Sequence, residues 1–170
     1  MIVAAVICDL DDTLVDTACL REKREARAWK AAVRDVGSTR LFTGIAPMMD
    51  GLRKRGLKIG VVTTSVSYYA EAVLAHHGLI YDTLVCYHDA PAKPSAAPCE
   101  LAARWLEVPV ARVIGLGDLE KDFLSYRAAG VRAVFAGWSG GAEDLDWDDH
   151  AETPSDFLDI IDMFTPGAPR

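Results

Sequence analysis

The sequence predicts an α/β protein: a doubly wound, Rossmann-like parallel sheet of five strands with helices on both faces. Three observations carry this. Short runs rich in β-branched residues alternate along the chain with helix-patterned segments. Those runs are apolar throughout, not at every second position, which suits strands covered on both sides. Several helix-patterned segments stop at a glycine, as at Gly37, Gly56, Gly78 and Gly130.

In order, Ile2–Cys8 is the first strand and runs into Asp9, Asp11 and Asp12. Thr17–Val36, rich in Ala, Glu, Lys and Arg, predicts one long helix. Ala46–Arg55 predicts a second, with Pro47 in its first turn. Leu57–Val62 is the next strand and ends at Thr63, Thr64 and Ser65; Val66–His77 follows as a helix. Thr83–Tyr87 is a shorter strand, and Ser95–Leu106 places Leu101, Trp105 and Leu106 at helical spacing, with Trp29 and Trp105 read as packing residues. Arg112–Leu116 ends at Gly117 and Asp118, Glu120–Ala129 is helical, and Val131–Ala136 is the fifth strand. Residues 139–152 are Gly-rich and then acidic, as a linker would be. Ser155–Phe164 is a last helix, so residues 1–164 read as one domain, and 165–170 as a flexible tail.

Composition agrees. The 170 residues include 18 Lys and Arg against 25 Asp and Glu, a formal charge of −7, and 51% are hydrophobic. A chain of this kind buries enough surface to fold unaided. The acidic balance argues against a dedicated DNA-binding protein. No apolar run approaches the roughly 20 residues of a membrane span, so no membrane partner is expected. Met1–Cys8 lacks the basic flank of a signal peptide. Cys8, Cys19, Cys86 and Cys99 are scattered, which suits a reducing cytoplasm. Cys86, His88 and Cys99 offer three zinc ligands, but structural zinc sites favour four in tight pairs, and buried thiols are the plainer reading.

Ligands of doubly wound sheets bind beyond the carboxyl ends of the strands. There the sequence puts Asp9 and Asp11 after the first strand and Thr63, Thr64 and Ser65 after the second. Lys93 follows the third strand, and Asp118 and Asp122 follow the fourth. Carboxylates brought together raise each other's pKa, and a divalent cation relieves that. Few protein ligands, with room for water and phosphate, suit Mg²⁺ better than Ca²⁺.

This ordered set resembles the haloacid dehalogenase (HAD) superfamily, in its phosphatase type. Asp9-Leu10-Asp11-Asp12-Thr13 matches the first family motif, DxDxT, and Thr63 the second. Lys93, in Lys93-Pro94-Ser95, matches the third, and Gly117-Asp118-Leu119-Glu120-Lys121-Asp122 matches GDxxxD. The resemblance spans residues 2 to about 138. It implies a phosphomonoesterase with Asp9 as nucleophile, forming an aspartyl phosphate, and Asp11 as general acid and base. It implies Mg²⁺ held by Asp9, the Asp11 backbone carbonyl and Asp118, with Asp122 supporting the site or ligating through water. Thr63, with Thr64 and Ser65 as competitors for its role, would bind a phosphoryl oxygen, and Lys93 would balance the charge around Asp9. The bland readings are a helix cap for Asp11 and Asp12, a strand-end hydroxyl for Thr63 and a loop lysine for Lys93.

Many relatives insert a cap domain. Here 49 residues separate Thr13 from Thr63 and 29 separate Thr63 from Lys93, and predicted elements use most of both intervals. The chain therefore reads as capless or minimally capped. A large substrate, a second copy of the chain or the basic 17–40 segment would have to cover the site. Residues 20–40 carry seven basic residues and three acids, which suits a phosphorylated small molecule, a nucleotide or the phosphorylated end of a larger anion. A solvated helix with i,i+4 charge pairs is the plainer account. Two other classes compete. A response-regulator receiver would need its phosphorylated Asp after the third strand and has no place for GDxxxD. A catalytically retired HAD domain acting as a binding or regulatory partner would not need all four motif positions filled.

Overall fold

A computed structural model describes residues 2–165. Its main sheet has six strands: β1 (Ala5–Cys8), β4 (Lys58–Val62), β5 (Thr83–Val85), β6 (Val113–Gly117), β7 (Arg132–Ala136) and β8 (Asp149–Ala151). They lie in the order β5-β4-β1-β6-β7-β8, and every neighbouring pair is parallel. The predicted α/β doubly wound class is the observed one, with one more strand than expected. β8 comes from the segment read as a linker. Its three residues, Asp-His-Ala, have no apolar run to announce them. It is an edge strand, tied to β7 by Arg132 donating to Asp149 at 2.6 Å and by the Ala133 N–H donating to Asp148 at 2.8 Å.

The strands are apolar throughout because both faces are covered. Val6 and Cys8 of β1 join one core cluster, with Ile59, Val61, Ile114 and Leu116. Ala5 and Ile7 join the other, with Val62, Val113 and Phe135. The first face is closed by α3 (Ile45–Lys54), α4 (Ser67–His76) and α7 (Pro154–Met163). The second is closed by α5 (Ala97–Trp105) and α6 (Glu120–Ala129). Trp105, expected to pack, is 48% exposed. The tail at 166–170 lies outside the described residues.

The expected helix over 17–36 is broken. A 3₁₀ turn (Ala18–Leu20) leads into α1 (Arg21–Glu25), Arg27 adopts φ +53°, and α2 (Trp29–Arg34) follows. Local propensity favours helix throughout, but residues 21–28 offer no apolar stripe, and α1 buries none of its side chains. The reversal at Arg27 lets α2 turn back onto α4, where the Trp29 ring sits 5.4 Å from that of Tyr69 and Ala32 is buried. Packing has overridden propensity. The segment enters and leaves through a small antiparallel ladder, β2 (Val15–Asp16) against β3 (Arg40–Leu41).

Candidate active site

Parallel pairing sets the site's position. Cys8 is in register with Val61 and with Leu116, so Asp9, Thr63 and Asp118 leave three adjacent strands at one edge. The Asp9 N–H donates to the Leu116 carbonyl at 2.9 Å, which continues the ladder one residue past β1 to Asp9. Carboxylate oxygens of Asp9, Asp118 and Asp122 lie within 4.8 Å of one another, and all three residues are buried.

Lys93 reaches this cluster from the loop after β5. Its ammonium donates to Asp9 Oδ1 at 2.5 Å, to the Val62 carbonyl at 2.9 Å and to Asp122 Oδ1. The side chain is 1% exposed. Burial alone would lower its pKa; Asp122 and Asp9 outweigh that and raise it, so it stays charged. Asp122 also accepts the Leu119 N–H at 3.1 Å, so both its oxygens are used. β6 makes room for it: a Cβ on Gly117 would sit 2.6 Å from the Asp122 Cβ, and one on Gly115 would strike the Tyr126 ring at 2.7 Å.

Two of the three carboxylates share one ammonium and, among the described residues, Asp118 has none, which leaves two negative charges uncompensated when all are ionised. Burial first, then Asp9 and Asp122, push the Asp118 pKa up to about 7. Burial likewise raises Asp122, against the pull of Lys93. Thr13 donates to Asp118 Oδ1 at 2.8 Å and fixes its rotamer, while Trp138 donates to the Thr13 carbonyl at 2.8 Å. A buried, oxygen-only, electron-rich set of this kind fits a hard divalent cation.

The Asp11 side chain takes a different place. Thr17 and Tyr69 donate to its Oδ1 at 2.8 Å each, Ser65 donates to its Oδ2 at 2.7 Å, and Arg24 Nε stands 3.6 Å away. Its carboxylate is therefore outside the grouped aspartates, and the expected metal contact of residue 11 was its backbone carbonyl. Thr63 is buried; its N–H donates to Val85 O at 2.9 Å and its hydroxyl accepts the Ser65 N–H at 3.1 Å. Thr64 accepts from Lys121 at 3.2 Å, which brings the Lys121 ammonium to the rim. Sequence reasoning gave Ser65 only as a competitor of Thr63 and missed Thr17, Tyr69 and the role of Thr13. Thr13 sat in the DxDxT motif and was the available signal; Tyr69 and Thr17 carried none. Among the described residues the aspartates are the only grouped His, Cys, Asp and Glu set, and Cys99 instead lies 3.3 Å from the Ser125 hydroxyl. No helix among the described residues is long and apolar enough to cross a membrane.

A strand-end aspartate, a buried lysine paired with it and an acidic cluster on a doubly wound sheet are the features of the class of HAD-like α/β hydrolases. The family model for haloacid dehalogenase-like hydrolases matches residues 21–136, and the chain belongs to that family. It is 32% identical over 118 residues to a phosphoglycolate phosphatase of Xanthomonas campestris, covering 63% of this chain and 51% of that one. It is 30% identical over 160 residues to a phosphoglycolate phosphatase of Synechococcus elongatus, covering 88% and 74%. The chain thus spans about half the length of several curated relatives it matches. The crystal structure of a HAD phosphatase from Thermococcus onnurineus shares the fold, with a TM-score of 0.79 at 18% identity, over 98% of this chain and 99% of that one.

Proposed function

We propose that this chain is a Mg²⁺-dependent phosphomonoesterase that works through an aspartyl phosphate on Asp9. The observation that carries the reading is the convergence of Asp9, Lys93, Asp118 and Asp122 at one sheet edge. Relatives named as phosphatases support it.

An Asp9 carboxylate oxygen bonds to phosphorus as the bond to the leaving oxygen breaks. Asp11 gives its proton to that oxygen, then takes one from the water that attacks the same phosphorus and releases Asp9 and orthophosphate. Here the Asp11 carboxylate is held by Thr17, Ser65 and Tyr69, so serving the leaving oxygen requires it to exchange at least one of those partners. Lys93 keeps the Asp9 oxygen placed and offsets its charge, and Thr63 holds a phosphoryl oxygen. Asp9 and Asp118 would hold Mg²⁺, with Asp122 beside them. When bound, the ion supplies the positive charge that draws the phosphoryl oxygens inward. A phosphorylated small molecule is the substrate class. The direct test is hydrolysis of an aryl phosphate with MgCl₂ and with EDTA. Turnover is expected only with metal, and equal rates would overturn the metal requirement.

The pH dependence follows from Asp118. Its folded pKa, about 7, lies above the ordinary value of about 3.9, so the folded chain holds this proton more tightly than the unfolded chain does. That contribution to stability is complete below about pH 4 and is lost as pH rises through about 7. A divalent cation takes the proton's place, so the metal-induced rise in Tm should be larger at pH 8 than at pH 6. At pH 8 and saturating MgCl₂ a rise of roughly 5 °C is expected by thermal unfolding. Equal rises at the two pH values would contradict the assignment.

A further inference from the structure

A cavity of about 590 Å³ opens beside the phosphate site, behind Thr64 and Ser65. Arg24 and Arg27 line it from the 17–39 segment, and Trp29 and Tyr87 give it aromatic walls. Its volume suits a small organic group. Arg24 is already committed, with Asp12 at 3.3 Å and Asp11 at 3.6 Å, yet its buried Nε has no hydrogen-bond partner. Arg27 differs: among the described residues it has no carboxylate partner. Its guanidinium lies 5.2 Å from the Tyr87 ring centroid and donates to the Tyr87 hydroxyl at 3.4 Å. It does this from a left-handed backbone, φ +53°, which glycine would adopt without strain. A guanidinium on a cavity wall that rests on an aromatic ring and has no carboxylate countercharge points to a ligand role. Glu25 is the only acid on that wall.

We infer that this cavity receives the leaving group of the substrate, and that the leaving group is a planar or apolar body bearing a second anion, held by Arg27 with Arg24 beside it. The inference rests on the phosphatase reading and names the substrate class for that same site: a phosphomonoester with a further carboxylate or phosphate. The aromatic walls take the body, and the guanidinium fork takes the anion.

The test compares phenyl phosphate, 4-carboxyphenyl phosphate and 1,4-phenylene bisphosphate as substrates of the full chain with MgCl₂. The two probes that bear a second anionic group should exceed phenyl phosphate in kcat/KM by about tenfold, mainly through KM. Which of the two leads identifies the anion. Arg27→Asn, which tolerates the left-handed backbone, should erase most of that preference, and Arg27→Lys should keep part of it. Turnover of all three without preference, or equal losses on all three in both variants, would overturn the subsite while leaving the phosphatase reading in place. No turnover of any probe by the unmodified chain would remove that reading, and the subsite with it.

Discussion

Asp9→Asn is expected to lower aryl phosphate turnover by at least about 10⁴-fold, the scale seen when a covalent nucleophile is removed. The amide has the shape of the carboxylate but not its negative oxygen, so the bond to phosphorus does not form. The loss should not come from unfolding. Lys93 keeps Asp122 and the Val62 carbonyl as acceptors, and the substitution removes one of three crowded carboxylates. Tm measured without metal should therefore be equal to or above that of the unmodified chain. Asp9→Ala serves as the control for a residual amide effect. If both variants retain more than about 1% of the rate, the nucleophile is elsewhere and a covalent phosphoenzyme at residue 9 is wrong.

The second large effect is on stability. Lys93→Met removes the one ammonium that sits between Asp9 and Asp122, at a position that is almost fully buried. Methionine fills much of the space, but the carboxylates are left without a countercharge in a dry environment. Breaking a buried pair in this way costs about 3–5 kcal/mol. The loss should be read from urea midpoints in EDTA at pH 8. It should shrink as pH falls, because Asp122 and Asp118, both already displaced upward, take up protons in the folded state before the unfolded chain does. Adding Asp122→Asn to Lys93→Met should recover part of the loss, since the two side chains act as a pair. A single variant within about 0.5 kcal/mol of the parent would show that Lys93 carries no such load.

The sequence made most of the sheet legible because a strand covered on both faces has to be apolar along its whole length, as Val113–Gly117 is and as Lys58–Val62 is after its first residue. β8 escaped because an edge strand of three residues can be polar and rest on side-chain hydrogen bonds. The 17–36 segment escaped for the opposite reason: local composition favours one helix, and only the docking of Trp29 on Tyr69, forty residues away, explains the break. In the site, Asp9, Thr63 and Asp118 were visible as polar residues ending apolar runs. Lys93 had only its isolation and its motif to mark it. The direction of the Asp11 carboxylate was not legible at all, because its partners come from two separate stretches, Thr17 after β2 and Ser65 and Tyr69 at the entry to α4.

The short ladder joining Val15–Asp16 to Arg40–Leu41 has a consequence for how this architecture can change. It holds the two ends of the intervening chain side by side, so the sheet does not register how much polypeptide lies between them. Doubling such a loop costs only about 0.6 kcal/mol of closure entropy. The length and fold of the chain between Asp16 and Arg40 are thus uncoupled from the sheet, which an inserted segment there should leave in place.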